Sequence, residues 1–120
     1  MKKLYIVKTP KDFDDIIQNG SCMKNHYFVI HHKENHYPYD RFGISVSKKL
    51  GNAVFRNKYK RKLRSMIDNY KKIYVNSEDY IIILRKEAID KPFQELEKEF
   101  FALMNNNKKG IKNEEQEKKN

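Results

Sequence analysis

Apolar positions along the chain change period several times, and each change marks an element. In "TPKDFDDIIQNG", Phe13, Ile16 and Ile17 share one helical face. Thr9 can cap that helix, Pro10 suits its first position, and Asp12 completes a box-like spacing. Gly20 falls where a left-handed C-cap is wanted, so the pattern predicts a helix from Pro10 to Asn19. "HYFVIHHK" is rich in aromatic and branched residues and predicts a strand over Tyr27 to His32. "RFGISVS" alternates, with Phe42, Ile44 and Val46 on one face and Arg41, Gly43, Ser45 and Ser47 on the other, which predicts a half-buried strand.

From Val54 to Lys72 the period returns to that of a helix, gathering Tyr59, Leu63, Met66, Ile67 and Tyr70 into one seam, with Gly51 and Asn52 as the turn leading in. "YIIIL", Tyr80 to Leu84, is continuously apolar and suits a strand in the middle of a sheet or in parallel pairing. A helix between two strands implies a crossover, hence parallel pairing of the strands near 41–47 and 80–85. "DKPFQELEKEFFALM" places Phe93, Leu96, Phe100 and Leu103 at helical spacing for a final packing helix. The expected fold is α/β (α+β): a two-layer sandwich with a small mixed sheet in the order α-β-β-α-β-α, with room for an extra short strand. One domain over residues 1–107 is expected, and the polar segment 108–120, with Ile111 its only apolar residue, is expected to be a disordered tail.

Charge narrows the function. Lys and Arg number 26 against 16 Asp and Glu, a formal net charge of +10, so a polyanionic partner is expected. A membrane surface is the rival anion, but no apolar stretch approaches the ~20 residues of a transmembrane helix, and the N-terminal pattern is not that of a signal peptide. A cytoplasmic location is expected. Cys22 is the only cysteine, which leaves neither a disulfide framework nor a cysteine zinc site.

The positive charge is concentrated. "KKLGNAVFRNKYKRKLR" carries Lys48, Lys49, Arg56, Lys58, Lys60, Arg61, Lys62 and Arg64, and no acidic residue occurs from Arg41 to Ile67. Arg56, Lys60 and Arg64 are four apart along one flank of the predicted helix, beside Asn57 and Arg61. Solvated helices usually mix signs for mutual support, and like charges at this spacing repel until a phosphate backbone neutralises them. Arginine offers forked contacts to phosphate and lysine a point charge, while the Asn57 amide can meet a base edge or the water shell of Mg²⁺.

The ordered run Phe42 to Arg64, with Gly51, Asn52, Ala53, Val54, Arg56, Asn57, Lys60, Arg61 and Arg64 at fixed spacing, resembles the signature of the bacterial ribonuclease P protein component. Asp12 and Phe13 near the N-terminus and "DYIII" at Asp79 to Ile83 extend the resemblance over residues 1–107. Lys58 stands where the family most often has Arg, which keeps the charge and loses the fork.

The resemblance implies a protein subunit that binds a large catalytic RNA and helps it remove the 5′ leader of precursor tRNA, with Mg²⁺ acting through the RNA and no obligate protein partner. It also implies a left-handed strand-helix-strand crossover, against the general rule. RNA contacts would come from Lys48, Lys49, Asn52, Arg56, Asn57, Lys58, Lys60, Arg61 and Arg64. A cleft for the single-stranded leader would be offered by Phe13, Ile17, Phe28, Ile30, His31 and Ser45, where Ile17 and His31 depart from the aromatic residues frequent in the family.

A catalytic residue in the protein itself is not expected. Metal-assisted phosphodiester hydrolysis needs converging carboxylates, and Asp40 and Asp68 merely bracket the basic run. His26, His31, His32 and His36 lack ligand spacing, since neighbours on a strand point to opposite faces. The competing classes are a small basic structural RNA binder, such as a ribosomal protein or RNA chaperone, and a duplex-DNA binder with the basic helix in a groove.

Overall fold

The computed structural model describes residues 5–105. The order is α1 (Pro10–Asn19), β1 (Ser21–Lys24), β2 (Phe28–Glu34), β3 (Arg41–Ser45), α2 (Ala53–Lys71), β4 (Glu78–Leu84) and α3 (Phe93–Met104). The sheet runs β1-β2-β4-β3, with β1–β2 and β2–β4 antiparallel and β3–β4 parallel. The parallel pair is joined through α2, so the expected crossover is present and the apolar β4 lies inside the sheet. The segment expected to form a tail, 108–120, lies outside the described residues.

Burial on both faces explains why β4 does not alternate. Tyr80, Ile82 and Leu84 join Phe28, Ile30, Phe42 and Val46 in the main core, against the α2 seam of Tyr59, Leu63, Met66, Ile67 and Tyr70 and against Leu96, Phe100 and Leu103 of α3. All five expected seam residues of α2 are buried. Sheet, α2 and α3 thus make the two-layer sandwich. On the other face Ile81 meets Ile16 and Val7, with Phe13 and Ile83 packed against them. Here α1 lies across the sheet, with Val7 of the preceding segment beside it.

Local chemistry sets the ends of the elements. Thr9 Oγ1 accepts the Asp12 N–H at 3.1 Å, as the capping pattern predicts. Gly20 differs from expectation. Its backbone is extended (φ −97°, ψ −168°), so it is not a left-handed cap. Glycine is needed because a Cβ there would lie 2.3 Å from the His32 carbonyl oxygen and 2.6 Å from that of Ile16. β1, "SCMK", is the extra short strand for which the expected order leaves room, and it forms by pairing its backbone with β2 from Ser21↔His32 to Lys24↔Val29.

A buried polar node fixes the turn into β4. The Asp40 carboxylate accepts the Glu78 N–H at 2.8 Å and the Asn76 N–H at 3.1 Å, and Asn76 Nδ2 donates to the Tyr70 and Tyr80 hydroxyls at 2.8 Å each. Burial holds the Asp40 pKa above its ordinary value, although these backbone donors oppose the shift.

Candidate RNA interface

The strand registers sort the face under α1 into three rows. Cys22, His31, Ile81 and Gly43 form the middle row. α1 crosses here, with Ile16 packed on Ile81 and the Phe13 ring seated on Gly43. Lys33, Asp79 and Arg41 form the row to one side, where Lys33 Nζ meets Asp15 at 2.6 Å and the Arg41 guanidinium grips Asp79 at 2.5 and 2.9 Å. The Lys33 ammonium lowers the Asp15 pKa, and the Asp79 carboxylate raises that of Arg41. The third row is Lys24, Val29, Ile83 and Ser45, and Ile17 of α1 is 43% exposed. This row lies on the α1 face of the sheet, where the leader cleft is expected.

Four of the six expected cleft residues belong to this face: Phe13, Ile17, His31 and Ser45. Phe28 and Ile30 do not. Both are fully buried in the core against α2 and α3, on the opposite side of the sheet. Period-two alternation is the reason, since positions 28 and 30 cannot share a face with 31. The residues that share the α1 face with His31 and Ser45 include instead Val29, Ile83 and Lys24. The same alternation pointed to Val29; Ile83 and Lys24 required the pairing register.

At the other side of β3, each part of the basic segment has a local cause. Ser47 Oγ accepts the Lys49 N–H at 3.1 Å in a 3-10 turn over Lys48–Leu50, which sets Lys48 and Lys49 outward. Asn52 Oδ1 accepts the Phe55 N–H at 2.9 Å and caps α2. A Cβ on Gly51 would strike the Phe55 ring at 2.5 Å. The Gly-Asn pair that interrupts the charges is therefore the joint that starts the basic helix. Val54 is 78% exposed, and nothing in the structure explains its apolar side chain.

Asn57, Lys58, Arg61 and Arg64 are exposed, and Arg56 and Lys60 are half-buried. Among the described residues, none of the cations from Lys48 to Arg64 forms an ion pair. Arg56 Nε is buried with no acceptor, an orphaned donor on a charged group. Lys60 and Arg64 also reach past the β3 edge to line a cavity of about 170 Å³ with Phe13, Gly43, Phe42, Ile44, Ile6 and Val7. The ring of the cleft and the cationic flank of α2 therefore share one wall.

Comparison with known proteins decides the family. The Ribonuclease P family model matches residues 1–108. The chain belongs to the ribonuclease P protein family. The ribonuclease P protein component of Streptococcus pneumoniae strain Hungary19A-6 is 41% identical over 104 residues, covering 87% of this chain and 85% of that protein. Among solved structures, a Staphylococcus aureus RNase P protein mutant with defective mRNA degradation activity superposes with a TM-score of 0.79 at 36% identity, covering 86% of this chain and 87% of that one. RNase P protein from Thermotoga maritima superposes at 0.77 with 29% identity, covering 82% and 93%. The role is that of the family: protein subunit of ribonuclease P, an RNA–protein endoribonuclease that processes tRNA. Ribonuclease P RNA is its partner. No helix of the described residues is long and apolar enough to cross a membrane.

Proposed function

We propose that the chain holds ribonuclease P RNA on the Lys48–Arg64 surface while its cleft holds the unpaired 5′ leader of precursor tRNA. The observation that carries this reading is the shared cavity, in which Phe13 stands against Lys60 and Arg64. Single-stranded RNA is recognised by aromatic rings that stack bases and by cations that follow the backbone. Phe13 supplies the first from α1, with Ile17, Val29 and Ile83 as apolar floor and His31 as a second planar group. Lys60, Arg64 and Lys24 supply the second at the margins.

Lys48, Lys49, Arg56, Lys58 and Arg61 are turned to the larger RNA, and the orphaned Arg56 Nε is a donor suited to a phosphate oxygen. Asn52 caps α2 and holds Lys48 and Lys49 in register with it. Asn57 offers an amide to a base edge or to hydrated Mg²⁺. The protein's part in the reaction is to hold two polyanions together and lower their repulsion. Bond cleavage is assigned to the RNA subunit with its Mg²⁺, and two carboxylates of the α1 face, Asp15 and Asp79, are engaged by Lys33 and Arg41 rather than converging on one site. Residues 1–107 act in this as one domain, and the cytoplasm, where precursor tRNA is processed, is the location that fits.

Reconstitution with ribonuclease P RNA and precursor tRNAs of graded leader length tests the assignment. Phe13→Ala and His31→Ala should weaken binding of leader-bearing precursors by about 1–3 kcal/mol per lost stack and leave leaderless tRNA unaffected. Equal losses on both substrates would remove the cleft from leader binding.

A further inference from the structure

α2 carries cations on two opposite sides, and only one of them adjoins Phe13. At about 100° per residue, Lys58, Lys62, Ser65 and Asn69 centre roughly 170° around the helix axis from Arg56, Lys60 and Arg64. The buried seam of Tyr59, Leu63, Met66, Ile67 and Tyr70 lies between the two sides. The second side meets the first residue of α3 in a groove of about 490 Å³, lined by Lys58, Arg61, Lys62, Ser65, Asn69 and Phe93. A phosphate held by Lys60 or Arg64 cannot also be held here, because a helix about 10–12 Å across stands between them.

Lys58, Arg61 and Lys62 form no ion pair among the described residues. Lys58 and Lys62 are one turn apart, roughly 6 Å along the axis, which is close to the separation of successive phosphates along a strand. Lys62 Nζ lies 4.8 Å from the centre of the buried Tyr59 ring, a contact that orients the ammonium without cancelling its charge. The carboxylates of α3 have partners of their own: Glu97 accepts from Asn69 Nδ2 at 2.5 Å, Glu95 accepts from the Tyr27 hydroxyl, and Glu99 faces His26 at 3.9 Å. The Asn69–Glu97 bond makes that end of the groove unfavourable to an anion and leaves the three cations and the Ser65 hydroxyl as donors at the other. Phe93 is half-buried and packed against the main core, so it forms a wall. Cations and a hydroxyl beside such a wall suit phosphate oxygens rather than base edges.

We propose that the groove between α2 and α3 binds the sugar-phosphate backbone of a segment of ribonuclease P RNA, with Lys62 and Ser65 as contacts beside Lys58 and Arg61. α2 is then gripped between two RNA segments, one on each side. The assignment of the leader to the cleft enters only in naming the RNA on the other side. Ser65 is exposed, and so is Cys22, the only cysteine, which lies on the α1 face. Each can therefore carry a tethered iron–EDTA in the reconstituted holoenzyme, the first as Ser65→Cys in a Cys22→Ser background. Hydroxyl radicals from position 65 should cut ribonuclease P RNA within one segment and spare the leader of precursor tRNA. Those from Cys22 should cut the leader, which tests the cleft by itself.

Lys58→Gln combined with Lys62→Gln should reduce the slope of log K against log salt for the RNA subunit by about 1.4–1.8, two phosphates at about 0.7–0.9 each. Binding should weaken roughly ten-fold at about 0.15 M salt, by the same factor with leaderless and leader-bearing tRNA. Lys62→Arg should bind as the parent chain does, and an unchanged melting temperature for each variant shows that the fold is intact. An absence of cuts in ribonuclease P RNA from position 65, cuts from there in the leader, or a parent-like salt slope in the double variant would overturn the proposal, whatever Cys22 reports of the cleft.

Discussion

Replacing Gly43 by Ala tests whether the ring over the middle of the sheet is held by the floor beneath it. A Cβ at position 43 would lie 2.5, 2.8 and 2.9 Å from three atoms of the Phe13 ring. Ordinary contact begins near 3.4 Å, so the ring must retreat by close to 1 Å from its place against the cluster of Val7, Ile16 and Ile81. Overpacking of this kind costs about 1–3 kcal/mol. Gly43 does not have a positive φ, so the backbone accepts alanine and the whole penalty comes from the clash. With Phe13→Ala already present the clash is gone, and Gly43→Ala should stabilise the strand by about 0.5–1 kcal/mol. The two substitutions should therefore couple by roughly 1.5–4 kcal/mol, well outside the ~0.5 kcal/mol within which independent sites add. Urea denaturation of the four proteins of the cycle measures the coupling, and leader-length dependence in the reconstituted enzyme should show Gly43→Ala impairing leader-bearing substrates selectively. Additive effects would refute the argument, because Phe13 would then not rest on Gly43.

Phe28→Ala should cost about 3–5 kcal/mol of stability, as a fully buried aromatic ring is lost, and any loss of activity should be the same for every leader length once the protein is folded. Arg56→Ala, Lys60→Ala and Arg64→Ala should each leave the melting temperature nearly unchanged while making RNA binding weaker and less salt-dependent, as measured by filter binding across a salt series. Asp40 has a folded pKa raised above 3.8, so it binds more protons folded than unfolded, and its contribution to stability falls as pH rises from 3.8 through the folded value. Asp40→Asn should remove that fall, seen as a difference between the two denaturation profiles that grows with pH over that window. The chain alone should bind RNA but not cleave precursor tRNA in Mg²⁺, and cleavage surviving complete removal of RNA would contradict an RNA-borne active site.

Period and punctuation alone determined much of this molecule. The five-residue seam of α2 was readable because a helix against a sheet buries every third or fourth residue whatever its partner is. The unbroken apolar run of β4 reads as a strand inside a sheet or in parallel pairing, and the helix between β3 and β4 implies that parallel pairing. The basic run was equally plain, since charges without counter-charges are a property of composition before they are one of geometry. Tertiary structure decided what depends on register and reach. β1 has almost no signal of its own and exists through backbone pairing with β2. Gly20 was given a conformational role and has a steric one, which only the approach of the His32 carbonyl reveals. The family resemblance implies Phe28 and Ile30 as cleft residues, although strand alternation puts both on the face opposite His31. Meeting of Phe13 with Lys60 and Arg64 could not be read at all: they lie on helices packed against opposite faces of the sheet, and they come together because β3 is an edge strand that side chains from both layers can pass.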